Sequence, residues 1–124
     1  MQVRGTKVRY VMPATELAGD RVINPDRENL GKIEDFAVDL RSGCVAYAVL
    51  SFGGILGLGD KFFAVPMDAL ALDEDERVFI LNVSKDKLKS ASGFDKDNWP
   101  DMADEQWGRD IHSFFGTKPH WEKR

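Results

Sequence analysis

Much of the chain shows the alternation of apolar and polar positions that predicts β-strands, in short runs separated by turn residues. In the run GKIEDFAVDL, the apolar residues Phe36, Val38 and Leu40 alternate, whereas Ile33 is one position out of phase with them. A β-bulge near Glu34–Asp35 would return Ile33 to the core side and bend the strand. We therefore predict a bulged strand over this run.

The remaining strand candidates follow the same pattern. They are DRVIN (20–24), VAYAVLSF (45–52), KFFAVP (61–66) and the two arms of a hairpin, LALDEDERVFILNV (70–83). Both faces of VAYAVLSF are apolar, which indicates a central strand that is covered on both sides. The charged tip of the hairpin reads as a solvated turn. Six strands at this regular spacing predict a small β-barrel or a sandwich.

Two helices are predicted after the strands. Ser84 can cap a short helix, KDKLKSA. Further on, apolar residues recur at the spacing of an amphipathic helix, at Trp107, Ile111, Phe114 and Phe115. Gly116 suits the position that ends this helix. Gly108 lies inside the helix and costs about 1 kcal/mol relative to alanine, so we expect the helix to need packing against the β domain or a partner.

Composition limits the classes of function. The chain has 124 residues, 43% of them hydrophobic and 31% charged, which fits one soluble domain. The net charge of −4 provides no basic field, and we expect no nucleic-acid partner. A single cysteine, Cys44, fits a reducing compartment. Because there is no secretory leader pattern and no apolar run near the roughly 20 residues of a membrane helix, we expect a cytoplasmic protein without membrane insertion.

A glycine-rich segment lies between two predicted strands and contains Gly53, Gly54, Gly57 and Gly59. A phosphate-binding P-loop requires lysine and a hydroxyl after its last glycine. Here Asp60 occupies the lysine position, and a strand follows where a helix should begin. The segment therefore reads as a hairpin connection whose glycines supply positive φ.

Two functional hypotheses arise from this glycine loop. The apolar residues Ile55, Leu56 and Leu58 would form an exposed patch at the loop tip, and such patches commonly contact protein partners. The alternative is a small-ligand or phosphate site over residues 53–61. In that case backbone N–H groups would cradle the ligand and Lys61 would contribute the positive charge.

The sequence contains no coherent set of catalytic or metal-binding residues. The only histidines are His112, predicted to lie on the surface of the amphipathic helix, and His120. The carboxylates near position 100 resemble a calcium loop only until Trp99 and Pro100 interrupt it. Cys44 has no base nearby in the sequence. We therefore expect no catalytic residue, no metal and no cofactor.

The order of several short motifs resembles the PRC-barrel domain family. The matching motifs are Gly19 to Val22, L-G-K-I-x-D (Leu30 to Asp35), G-x-V-A-Y (Gly43 to Tyr47), the glycine segment, and A-V-P-x-x-A-L (Ala64 to Leu70). The last part of the chain is similar to the extension on stand-alone bacterial members. This resemblance implies a mainly β fold, a small barrel of about six strands with a short helix and a C-terminal amphipathic helix.

The resemblance also implies a domain organisation and a style of function. The division is an N-terminal arm (1–16), a PRC-barrel domain (17–90) and a C-terminal extension with the helix (91–124). The family resembles adaptors that dock proteins, which implies a non-catalytic interaction module, and we expect it to form a homodimer. The candidate interface residues are Ile55, Leu56 and Leu58 in the loop, together with Trp107, Ile111 and Phe114 in the helix.

Overall fold

The computed structural model describes residues 1–53 and 61–123. Within these residues seven strands form a single sheet: β1 (Gln2–Arg4), β2 (Arg21–Ile23), β3 (Asn29–Val38), β4 (Val45–Phe52), β5 (Lys61–Pro66), β6 (Leu70–Asp73) and β7 (Val78–Leu81). The helices are α1 (Ala14–Leu17), α2 (Lys85–Lys89) and α3 (Glu105–Phe115), with 3₁₀ turns at Met67–Ala69 and His120–Lys123. The prediction of a mainly β fold is confirmed.

The strands lie in the order β1-β6-β7-β2-β3-β4-β5. The pairs β1–β6 and β2–β7 are parallel, and the other neighbours are antiparallel. Among the described residues β1 and β5 are the two end strands, so hydrogen bonds do not close the sheet into a full barrel. The seventh strand, β1, was not predicted because its three residues show no apolar alternation.

The predicted bulge in β3 is confirmed. Ile33 pairs with Leu50 and Asp35 pairs with Val49, which leaves Glu34 as the extra residue. Ile33 is thereby buried in the core.

The second half of the β3 prediction is wrong, because the strand ends earlier than its apolar pattern suggests. The register shifts again between Ala37 and Val38, and Val38 is the last residue of the strand. Val38 is therefore half-exposed, and Leu40, beyond the strand end, is 92% exposed. Two apolar side chains that the alternation assigned to the core lie at the surface.

The central strand and the hairpin agree with prediction. Strand β4 lies between β3 and β5 and is buried from Ala46 to Phe52. Strands β6 and β7 form the antiparallel hairpin. The main core includes Val22, Leu30, Ile33, Leu50, Phe63, Leu72, Phe79, Leu81 and Leu88. Ser84 caps α2, because its Oγ accepts a hydrogen bond from the Lys87 N–H at 3.0 Å.

We predicted that the acidic turn between β6 and β7 is solvated. In the structure this turn binds the N-terminal arm instead. Its contacts are Arg4 Nε with Asp73 at 3.6 Å, Arg9 Nε with Glu74 at 2.7 Å, and the Thr6 N–H and hydroxyl with Asp75 at 2.9–3.1 Å. The Glu74 N–H also donates to the Arg4 carbonyl at 2.7 Å. These contacts hold β1 at the edge of the sheet.

The C-terminal extension covers the opposite edge. Phe94 exchanges two backbone hydrogen bonds of 2.9 Å with Phe62 of β5, and Trp99 packs on both rings. Helix α3 begins after the cap residue Asp104 and ends at Gly116, whose φ of 72° confirms its predicted role. None of the helices in the described ranges 1–53 and 61–123 is long and apolar enough to cross a membrane.

Candidate functional site

A cavity of about 480 Å³ lies between the turn that joins β3 to β4 and the C-terminal extension. Its apolar lining comes from both sides and includes Ala37, Val38, Leu40, Met102 and Trp121. The charged side chains of Asp39, Arg41 and Glu105 and the imidazole of His120 complete this lining. A second cavity of about 280 Å³ shares Asp39, Ala46 and His120 with the first. His120 and Asp39 therefore form part of a common wall between two cavities.

Tyr47 of β4 lies at the base of the larger cavity and is almost completely buried. Its ring contacts Trp107 edge-on at a centroid distance of 5.3 Å, and the rings of His112 and His120 at 5.5 and 5.4 Å. Among the described residues its hydroxyl has no hydrogen-bond partner. Burial raises the pKa of Tyr47 to about 12, so the phenol stays neutral near pH 7 and acts as a packing group.

His112 and His120 form a connected polar pair beside Tyr47, which we call the histidine pair. His112 Nδ1 lies 2.7 Å from Thr117 Oγ1, and its Nε2 lies 3.3 Å from His120 Nδ1. The backbone N–H of His120 donates to the same Nε2 at 3.4 Å. The network therefore assigns the proton of neutral His112 to Nδ1, because Nε2 must accept. On the far side, His120 Nε2 lies 3.9 Å from Asp39 Oδ2.

The prediction that His112 lies on the helix surface is wrong, because His112 is only 1% exposed. Burial, and then the neighbouring charge of His120, lower the pKa of His112 to about 4, while Glu122 acts weakly in the opposite direction. The buried face of α3 is formed by Gly108, Ile111 and His112. A glycine four residues before a histidine was the available signal, since both then lie on one side of a helix.

Gly108 is the point at which α3 approaches its neighbours most closely. A Cβ atom built there would lie 2.8 Å from the Trp121 ring and 2.9 Å from the Tyr47 hydroxyl oxygen. Arg109 stacks over the Trp121 ring at 5.4 Å and pairs with Glu122 at 3.1 Å. The turn His120–Lys123, which we call the C-terminal turn, is thus placed against both α3 and β4.

The structure separates the helix residues that we predicted for an interface. Ile111 is buried within the chain in a small cluster with Tyr47 and is not available at the surface. Trp107 is half-buried and packs edge-on against Tyr47. Phe114 is also half-buried, and it contacts the Phe115 ring at 4.9 Å and the Lys87 ammonium at 5.2 Å.

The loop residues that we predicted lie mostly outside the described part of the chain, and these are Gly54, Ile55, Leu56, Gly57, Leu58 and Gly59. Phe52 and Lys61 pair across antiparallel β4 and β5, so the segment joins two strands as expected. Gly53 follows β4 without a positive φ, contrary to the expectation for the glycines as a group. Lys61 Nζ lies 3.8 Å from Asp95 Oδ1. Ligand binding by this loop stays a prediction.

In residues 1–53 and 61–123, no three His, Cys, Asp or Glu side chains are grouped as a metal site requires. Cys44 is exposed and lines the smaller cavity together with the histidine pair. The structure does bring four polar side chains together where the extension meets the sheet. They are Tyr47, His112, His120 and Asp39.

Comparison with known proteins agrees with the architecture. A search of curated proteins found no match to this chain. The family model described as the PRC-barrel domain matches residues 11–88, more than half of the chain. The sequence motifs, the mainly β sheet and this match lead to the same conclusion, that the chain belongs to the PRC-barrel domain family.

Proposed function

We propose that this protein is a non-catalytic protein-interaction module of the cytoplasm that self-associates as a dimer. The observation that carries the proposal is the position of Leu40, whose side chain is 92% exposed beside a largely apolar cavity of about 480 Å³. Leu40 and Arg41 lie in the connection between β3 and β4, which also form a hairpin. We call the region formed by Val38, Leu40, Arg41, Met102 and Glu105 the hairpin surface.

A second copy of this chain fits the hairpin surface because the projecting residue and the cavity lie on the same face. Two-fold dimers use the same patch on both subunits, so such a patch must be complementary to itself. Leu40 lines the cavity of its own copy and supplies the projecting side chain, and the cavity of the other copy supplies the receptor. Across a two-fold axis, Leu40 of each copy enters the cavity of the other.

The charges at the rim of the cavity are complementary in the same sense. Arg41 and Glu105 are both exposed, line the cavity and carry opposite charges. In a two-fold arrangement Arg41 of one copy faces Glu105 of the other, and each contact occurs twice. Such rim pairs contribute more to orientation and partner choice than to affinity.

The buried polar groups beside the cavity support a role other than catalysis. Both ring nitrogens of His112 are already engaged in internal contacts, and the Tyr47 ring is enclosed by Trp107 and both histidines. A general acid or base must instead reach a substrate through its titrating atom. These groups therefore serve to hold the extension against the sheet.

Light scattering after size-exclusion chromatography tests the proposal. We expect the natural protein to be a dimer at micromolar concentration and the Leu40→Asp variant to be a monomer. Two leucine contacts are lost per dimer, which weakens the dimer Kd by roughly a hundred- to ten-thousand-fold. Val11→Asp is the matched control, because Val11 is equally exposed and lies outside the cavity lining.

Three results separate the alternatives. A natural protein that is monomeric throughout the micromolar range contradicts self-association. A dimer that persists in Leu40→Asp but is lost in Leu56→Asp places the interface at the predicted glycine loop instead. A dimer that Val11→Asp also disrupts shows that any added surface charge is sufficient, and the hairpin surface is then not the interface.

A further inference from the structure

The histidine pair can hold one added proton but not two. A proton on His120 lets Nδ1–H donate to His112 Nε2, while the opposite nitrogen faces the Asp39 carboxylate. A proton on His112 as well must be placed on Nε2, because Nδ1 already faces Thr117. The backbone N–H of His120 then loses its acceptor, and two imidazolium rings lie with nitrogens 3.3 Å apart.

The surroundings of His112 provide little compensation for a second positive charge. The titratable groups that face the histidine pair or line the cavity beside it are Asp39, Cys44, Tyr47, Asp68 and Glu122. Of the three carboxylates, Asp39 faces His120 rather than His112, Asp68 lies 3.5 Å from the N-terminal ammonium of Met1, and Glu122 pairs with Arg109 at 3.1 Å. Because His112 is almost completely buried, water cannot solvate the new charge while the turn is closed.

The C-terminal turn also forms part of the wall of the larger cavity. His120 and Trp121 both line the cavity of about 480 Å³, opposite Ala37 and Leu40. Movement of this turn away from α3 therefore removes one wall of the cavity that receives Leu40 in the proposed dimer.

We propose that the histidine pair is an acid-sensitive latch, which keeps the C-terminal turn closed when His112 is neutral and releases it when His112 is protonated. Release opens the cavity wall and weakens the dimer. The effect on the dimer rests on the proposed function, whereas the latch itself is a property of the single chain.

The direction of the pH dependence follows from proton linkage. His112 has a pKa of about 4 in the closed structure and an ordinary value of 6.5 when exposed. The free energy that neutral His112 contributes to the closed form is therefore fully present above pH 6.5. It is lost progressively as the pH falls from 6.5 towards 4. Linkage between these two values raises the open population about thirty-fold at pH 5 relative to pH 8.

Amide hydrogen exchange measured by NMR tests the latch, after correction for the intrinsic effect of pH on exchange. The Leu40→Gln variant is used so that self-association does not contribute, and this change adds no charge beside Asp39. We expect the opening equilibrium at the amides of His120 and Glu122 to rise about thirty-fold from pH 8 to pH 5. The amide of Val49 in β4 serves as the reference and should not change.

The His112→Gln variant, in the same background, provides the matched control. Glutamine keeps an acceptor for the His120 N–H but does not titrate, so the thirty-fold acid effect should be lost and any change that remains comes from His120. Equal acid-induced opening with and without His112 overturns the proposal, as does parallel loss of protection at Val49, which indicates global unfolding.

A direct titration covers the case in which His112→Gln opens the turn at every pH. The chain has only two histidines, so their ring protons can be assigned and followed in the Leu40→Gln protein. A pKa near 4 for His112 supports the latch, and titration near 6.5 with the turn still closed overturns it.

Light scattering of the natural protein at pH 8 and pH 5 then tests the dimer separately. A monomer at pH 8 contradicts the proposed function, and an unchanged dimer at pH 5 contradicts only its regulation.

Discussion

The two ends of the chain are attached to the sheet by different chemistry. The N-terminal arm is held by ion pairs and hydrogen bonds to the acidic turn of the β6–β7 hairpin, and most of these side chains are exposed. The C-terminal extension is held by buried rings around Tyr47 and by a helix that approaches them through Gly108. Exposed ion pairs contribute little free energy, whereas each buried aromatic pair contributes about 0.5–1.5 kcal/mol in addition to the burial of its apolar area.

The two attachments differ in how much change they tolerate in their side chains. At the N-terminal arm, exposed charged side chains such as Arg4 can be exchanged or screened with small effects, whereas the buried carboxylate of Glu74 depends on its ion pair with Arg9. At the C-terminal extension, each buried polar group must find a partner or remain neutral, as His112 and Tyr47 do. The C-terminal attachment is therefore expected to respond more strongly to packing changes than the exposed ion pairs of the N-terminal arm, and His112 makes it respond to acid.

The largest effect should follow from removing the Tyr47 ring. We expect Tyr47→Ala to lower the free energy of unfolding by about 3–5 kcal/mol, because the contacts with Trp107 and both histidines are lost. Tyr47→Phe is the matched control. Since the hydroxyl has no partner among the described residues, its removal should leave stability unchanged or slightly increased. Urea denaturation measures both variants, and a large loss in Tyr47→Phe would show that the hydroxyl is bonded in solution.

An intermediate effect is expected at Gly108. Alanine is the better helix former by about 1 kcal/mol, but its Cβ would lie within 2.9 Å of Trp121 and Tyr47. We therefore expect Gly108→Ala to destabilise the protein by about 1–3 kcal/mol in spite of its helix propensity. In Gly53→Ala the new methyl group meets no atom of residues 1–53 and 61–123 within 4 Å, and thermal unfolding should hardly change. A stabilised Gly108→Ala protein would contradict the close approach of α3.

The smallest effect is expected in the N-terminal arm. Arg4 is largely exposed and lies 3.6 Å from Asp73. We expect Arg4→Ala to lower the free energy of unfolding by less than about 1 kcal/mol, and by less still at high salt. Denaturation curves at low and high ionic strength check this result. A salt-independent loss as large as that of Gly108→Ala would remove the distinction between the two ends of the chain.

Features that depend on neighbouring residues were predictable from the sequence. The bulge at Glu34 follows from one out-of-phase apolar residue, and the cap at Ser84 and the helix end at Gly116 follow from short-range backbone chemistry. The ordered motifs of the PRC-barrel domain, from Gly19 to Leu70, identify strands β2 to β5 in the same way. The mainly β architecture could thus be predicted from alternation and turn residues, because the apolar positions along a strand show which of its faces is buried.

The candidate site depends on contacts between distant parts of the chain. Leu40 follows the apolar pattern of β3 but is exposed because a second register shift ends the strand. His112 appears polar in a helical pattern but is buried, since Thr117 and His120 satisfy both of its ring nitrogens. The fold class, the bulge and the helix ends could be predicted without the structure, because they rest on local periodicity and backbone geometry. The exposure of Leu40 and the burial of His112 follow from tertiary contacts, because burial is set by partners that local patterns do not specify.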